Sequence, residues 1–395
     1  MSRELVLGVD FGSSSTIAGV LVGDRIQLVQ EQGDPVIPSV VYLPDRGPPE
    51  VGHRAVNHQL TEPSKVVRSV KRVLGLPASD ELVRRYAASV PFRVDRIAGD
   101  RTIFKLRTGD VAPEQIAACI LSRVRELGEA RFGVTIRRVV LTMSAAAPAG
   151  YRDAAMRAAK IAHLEVVEML AEPIAGALAL DLHRQPAKRR IVVCDFGGGT
   201  FDVSAVLQNG MSFTPVAAYG DHYLGGNDLD DALAEAISGV IFRSSKYDMH
   251  KDVVRWNELL LRCESAKRQL SSRPEAPLAM KDAYVNSGRP KDLQLTLEQH
   301  WAETVWTPIM DRVRTVVTEL LARAEWRPNT VDVVGLIGGS SLIPMFRRSI
   351  GEIFGEHKLL ITPDAELAVA QGATLLTARH QSNVSDQIPI LLDAS

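Results

Sequence analysis

At 395 residues the chain exceeds the roughly 250–300 residues at which a single buried core stops growing, so two lobes are expected. Its composition, 46% hydrophobic and 24% charged with 29 Gly and 21 Pro, excludes the polar bias of a disordered chain. A formal net charge of -1 gives no bulk electrostatic reason for a nucleic-acid or membrane partner.

The N-terminal "MSRELVLGVD" enters an apolar strand directly, without the apolar core and cleavage site of a secretory signal. With no apolar run near the roughly 20 residues of a membrane span, a cytoplasmic protein is expected. The chain continues as "LGVDFGSSSTIAGVLVGD", residues 7–24, then "RIQLV". Two short apolar runs around small residues, closed by the turn pair Gly23-Asp24, predict a three-stranded β-meander. Residues 113–131 carry apolar positions at helical spacing behind Pro113. "RRVVLTM" reads as a strand, "YRDAAMRAAKIA" as a helix and "VVEMLAEPIAGALALDL" as a strand running into a helix.

The basic stretch "HRQPAKRR", 183–190, reads as a linker. Beyond it the opening device returns: "VVCDFGGGTFDVSAVLQNG", 192–210, ends at Asn209-Gly210 and is followed by "MSFTPV". Helices are expected at 228–242, 252–272 and 303–325, with a β-rich patch to about 297. "VDVVGLIGGSSLIPMFRRSIGEIF" then reads as strand-loop-helix and "AELAVAQGATLLTARH" as a last helix.

Cys119, Cys194 and Cys263 are far apart and form no C-x-x-C pair, which argues against a disulfide framework or zinc cluster. Each is expected to be a buried small hydrophobe. No His stands at ligand spacing, so no metal other than Mg²⁺ is expected.

Backbone N–H groups exposed by small residues after a strand make an anion cradle, and a nearby carboxylate suits a Mg²⁺ ion bridging phosphate oxygens. Both copies supply the two parts: Asp10 before Gly12, Ser13 and Ser14, and Asp195 before Gly197, Gly198, Gly199 and Thr200. Either alone reads as a tight hairpin; the same order twice points to a clamp on a polyphosphate. No P-loop is present, and no kinase H-R-D or V-A-I-K motif accompanies the Asp-Phe-Gly sequences.

These hairpins, with "KRVLG" at 71–75, "EPIAGAL" at 172–178, "GGNDLD" at 225–230, "CESAKRQLSS" at 263–272 and "GLIGGSSLIP" at 335–344, resemble the nucleotide-binding domain of DnaK-type heat-shock chaperones. The likeness runs in order from about residue 5 to 380. It implies the two-lobed α/β fold of the actin and sugar-kinase superfamily, each lobe a mixed sheet flanked by helices with a smaller inserted subdomain. The implied division is lobe I at 1–183 (core 1–39 and 113–183, insert 40–112) and lobe II at 184–381 (core 184–225 and 303–381, insert 226–302). Residues 382–395 would be a linker remnant.

The resemblance also implies roles. Asp10 and Asp195 match metal-side carboxylates acting largely through water, and Ser13 and Thr200 match phosphate-contacting hydroxyls. Lys71 matches the lysine that positions the γ-phosphate and attacking water, and Glu172 the carboxylate near the nucleophile. Asp202 is a further candidate to orient water. Gly225 and Gly226 belong to the nucleotide-side motif "GGNDLD". Glu264, Lys267, Arg268 and Ser271 share one helix face and match the adenosine-binding helix. Gly338, Gly339 and Ser340 would bring backbone close to the nucleotide.

Two departures stand out. Leu342 replaces the family's Arg over adenine, and Ser144 replaces a Pro thought to act in coupling nucleotide state to the peptide-binding domain, although Arg152 keeps its place. The tail "DQIPILLDAS" is similar to the start of the peptide-binding domain without its leucine-rich linker.

The expected function is therefore a DnaK-like ATPase with ATP/ADP and Mg²⁺ as cofactors, expected to be monomeric. A J-domain co-chaperone, a nucleotide-exchange factor or a separate client-binding chain are the implied partners. A non-hydrolysing nucleotide-dependent scaffold is the second reading, and a small-molecule kinase or actin-like filament protein the third.

Overall fold

The computed structural model describes residues 5–381; the expectation for the tail falls outside them. Its organisation follows from one five-stranded pattern used twice. In the first sheet the order is Glu165–Ala171, Arg138–Met143, Val6–Phe11, Ser15–Val22, Arg25–Leu28, with Ile37–Pro38 pairing alongside Ser15–Val22. In the second it is Leu359–Ile361, Val333–Ile337, Ala187–Phe196, Phe201–Gly210, Ser212–Asp221. Each central strand pairs in parallel on one side and antiparallel with its hairpin partner on the other.

Asp10 and Asp195 are the penultimate residues of the two central strands. Both therefore sit at the carboxyl ends of parallel strands, where crevices for ligands form in such sheets. Val6–Phe11 and the Ile191–Phe196 part of the second central strand are nearly continuous apolar runs because both faces are covered by other structure.

The expected helices are present at Pro113–Phe132, Tyr151–Ile161, Glu172–Ala179, Gly226–Ser245, Val253–Leu270, Gln299–Ala324, Pro344–Phe354 and Ala368–Leu376. Residues 40–111 carry two small three-stranded sheets, and Glu275–Asn286 pairs with Arg289–Glu298 as a long hairpin. The 183–190 stretch is not a free linker. Residues 187–190 are the first part of the central strand and pair with 207–210, their side chains alternating between half-buried and exposed along it. Cys194 and Cys263 are buried as expected, whereas Cys119 is only half-buried.

One hydrophobic cluster packs around each sheet, and a third joins them. This third cluster combines Val6 and Val140 of the first sheet with Ile191 and Val193 of the second through the helices Glu172–Ala179 and Ala368–Leu376. The two helices meet backbone to backbone: a Cβ on Gly372 would overlap the carbonyl of Ala175. Among the described residues, no helix is long and apolar enough to cross a membrane.

Candidate nucleotide site

A cleft of about 560 Å³ lies between the two hairpin turns, within the range of small-molecule sites. The turns nearly touch. A Cβ on Gly199 would come within 2.7 Å of the Ser13 Cβ, and one on Gly198 would overlap Ser14. Small residues at these positions are what lets two strand-end turns share one site.

Each turn is pinned from behind. Ser39 donates to the Gly12 carbonyl at 2.9 Å. On the other side, the Gly226 and Asn227 amides donate to the carbonyls of Gly197 (3.0 Å) and Gly198 (2.7 Å), and the Ser340 hydroxyl donates to Gly197 at 2.8 Å. Arg72 crosses between the halves: its guanidinium donates to the Gly199 carbonyl at 2.9 Å and lies 3.5 Å from Asp228. The Tyr223 ring lies under both Arg72 and Arg85, at 4.4 and 4.0 Å.

At the cleft floor, Lys71 donates to Glu172 at 2.8 Å, with both side chains largely buried. Glu172 is the first residue of its helix, ahead of Pro173, and the start of a helix favours negative charge. Burial, reinforced by Asp10 and Asp202, nevertheless pushes its carboxyl up to about 7 against the pull of Lys71. Asp10 and Asp195 still touch the solvent of the cleft, but both are raised, first by desolvation; Lys71 and a 3.2 Å hydrogen bond from Thr142 oppose the shift at Asp10. Lys71 is held well above its usual value because Glu172, Tyr151 and Asp10 together outweigh its desolvation.

Several carboxylates thus converge around one ammonium, an excess of negative charge that a divalent cation would relieve. Among the described residues no three His, Cys, Asp or Glu are grouped to hold an ion directly. The buried Ser13 hydroxyl has no partner among the described residues, which in a native structure calls for an explanation.

Of the residues expected from the sequence to bind nucleotide, metal or water, all line the cleft except Asp202, Gly225 and Gly226. Asp202 is buried and its carboxylate accepts from Ser144 at 2.8 Å. Gly225 and Gly226 stand behind the second turn, a Cβ on Gly225 falling 2.6 Å from the Gly198 carbonyl. On the Val253–Leu270 helix, Glu264, Lys267 and Arg268 do share the cleft-facing side, with Ser271 at its C-cap. Lys267, however, is already engaged: it donates to Asp230 at 2.6 Å and to the Gly226 carbonyl at 2.8 Å. Arg268 is more open and reaches Glu264 and Glu366, both at 3.4 Å. Gly338 has φ +82 and packs within 2.6 Å of Asp195 at its absent Cβ position, so backbone replaces side chain there.

Sequence reasoning missed Thr142, Arg72, Asp228, Asp230 and Tyr151. Each acts through a partner distant in sequence; Arg72 lies in "KRVLG" and Asp228 and Asp230 in "GGNDLD", motifs that drew attention for other residues.

The family model for Hsp70 protein matches residues 6–395. The mixed sheets flanked by helices are the actin-like ATPase fold of that family, whose members are ATP-binding ATPases of the chaperone class. On this match and this architecture, the chain belongs to the Hsp70 family.

Proposed function

We propose that the chain binds Mg-ATP in this cleft and hydrolyses it slowly to ADP, changing the closure of its two lobes in doing so. The lobes are those of the division at residues 183 and 184, with inserts at 40–112 and 226–302. The observation that carries the reading is the Lys71–Glu172 pair, 2.8 Å apart, on the floor of a cleft that Asp10 and Asp195 also line.

Mg²⁺, when bound, would neutralise phosphate charge, with Asp10 and Asp195 holding its water shell. The remaining work falls to the chain. Small-residue turns with Ser13 and Thr200 cradle the phosphates. Lys71 supplies a positive point charge against the charge that develops on the transferred phosphoryl oxygens. Glu172, with its carboxyl near 7, is poised to orient the attacking water and exchange a proton near neutrality. The helix side bearing Glu264, Lys267 and Arg268 meets the adenosine, with Leu342 on the cleft wall.

A chaperone role would require a partner, and a J-domain co-chaperone, an exchange factor or a client-binding chain are the candidates. A cytoplasmic monomer is part of the same reading. A scaffold that binds nucleotide without turnover is the second reading, favoured by Leu342 in place of an Arg and by Lys267 being bound to Asp230.

Single-turnover conversion of bound radiolabelled ATP, with Mg²⁺, separates the two. Conversion to ADP supports the ATPase; bound ATP that persists unchanged supports the scaffold and overturns the hydrolytic reading.

A further inference from the structure

Tyr151 is fully buried, yet its hydroxyl has no hydrogen-bond partner among the described residues. A buried unsatisfied phenol is costly, and a native structure that keeps one calls for an explanation. Its surroundings supply one. The ring lies 5.9 Å from the Lys71 ammonium, and the hydroxyl experiences the charges of Lys71, Glu172 and Asp10.

The placement is built into the backbone. Gly75, two residues past the 3-10 turn Val70–Val73 that carries Lys71, packs directly on Gly150, immediately before Tyr151. A Cβ at either glycine would overlap the other's backbone. The start of the Tyr151–Ile161 helix is thereby docked on the turn that holds Lys71.

The Lys71–Glu172 bond sets the problem. If Lys71 turns toward bound phosphates, Glu172, which is 5% exposed, loses the donor that the structure gives it. A buried carboxylate left without a donor resists that movement. We propose that Tyr151 is a positioning residue that relieves this cost, its hydroxyl donating to Glu172 when Lys71 leaves for the phosphates. Burial pushes the phenol up to about 12, so it stays protonated and remains a donor.

The inference rests on the ATP-hydrolysis reading. The test compares full-length wild type with Tyr151→Phe by single-turnover and steady-state ATPase assays, and by carbon NMR of chains labelled at tyrosine Cζ. Tyr151→Phe should melt no lower than wild type in the nucleotide-free state, because the lost hydroxyl was unpaired. Its kcat should nonetheless fall about tenfold or more, with KM for ATP changed less than about twofold, as expected for loss of one charge-assisted hydrogen bond in the working state. The Tyr151 Cζ resonance, assigned by its absence in the variant, should move when a non-hydrolysable ATP analogue with Mg²⁺ binds. An unmoved resonance despite saturating binding, or an unchanged kcat, overturns the role of Tyr151 while leaving the nucleotide site standing. Absence of analogue binding to wild type overturns both.

Discussion

Ser144, just beyond a strand of the first sheet, donates its hydroxyl to Asp202 in the second at 2.8 Å, with both residues buried. The position read in the sequence as the loss of a Pro therefore carries a direct link between the two halves. Ser144 also accepts from the Ala146 amide at 3.1 Å. Ser144→Ala should destabilise the fold by about 1–3 kcal/mol, the range for losing a buried hydrogen bond to a carboxylate. Urea unfolding measures it, and an unchanged midpoint would show that Asp202 finds another partner.

Lys71→Ala should keep nucleotide binding while single-turnover hydrolysis falls by roughly 10²-fold or more, the scale for removing one group that stabilises transition-state charge. Glu172 then loses its cation and its carboxyl rises further. Turnover equal to wild type would remove Lys71 from the mechanism.

Stability should depend on pH in a definite direction. Burial pushes Glu172 and Asp230 up to about 7 from ordinary carboxylate values of 4.5 and 3.8. Both folded values lie above the unfolded ones, so the folded protein binds more protons between them. The stabilisation is complete at or below about pH 4 and is lost as pH rises through 7. For Glu172 the effect is on the order of 3 kcal/mol at most. Urea midpoints of nucleotide-free protein from pH 5 to 8 should show a shallower decline in Glu172→Gln than in wild type; identical slopes count against the raised carboxyl.

Leu342 lines the cleft where an Arg would add a cation–π contact worth about 0.5–2 kcal/mol. Leu342→Arg should therefore tighten ATP binding by roughly 2- to 30-fold. Calorimetry with ATP and GTP reads both affinity and base preference, and no gain for either nucleotide would place the base elsewhere.

Gly372→Ala would press a methyl group into the Ala175 carbonyl. Overpacking of this kind costs about 1–3 kcal/mol, and thermal melting should show it; an unchanged melt would mean the two helices separate freely.

The local parts of this architecture were legible. The two hairpins announced themselves because strand, carboxylate, small-residue turn and strand are contiguous, and helices such as Pro113–Phe132 carry their own periodicity and start signal. The start of the second central strand was not: charged residues 187–190 obscured pairing that depends on residues 207–210. Lys71 and Glu172, 101 residues apart, were reached through family resemblance rather than spacing. Tyr151 carried no signal, and Ser144 drew notice only as a missing Pro, because what distinguishes both is which side chain lies opposite, and that is set only when two distant segments pack. Lys267 shows the converse: its place on one helix face follows from spacing, but Asp230, which holds its ammonium, lies on another helix.

The backbone contact between Ala175 and Gly372 makes a fulcrum. Glu172 heads an eight-residue helix and stands three residues from that point, an arm of about 4.5 Å. With the division at residues 183 and 184, Lys71, Glu172 and Ala175 all stand on the first side of this contact and Gly372 on the second, so a turn about it would carry the 2.8 Å Lys71–Glu172 bond as one piece. What such a turn would change is the spacing across the cleft, where Asp10 and Ser13 on the first side face Asp195 and Thr200 on the second.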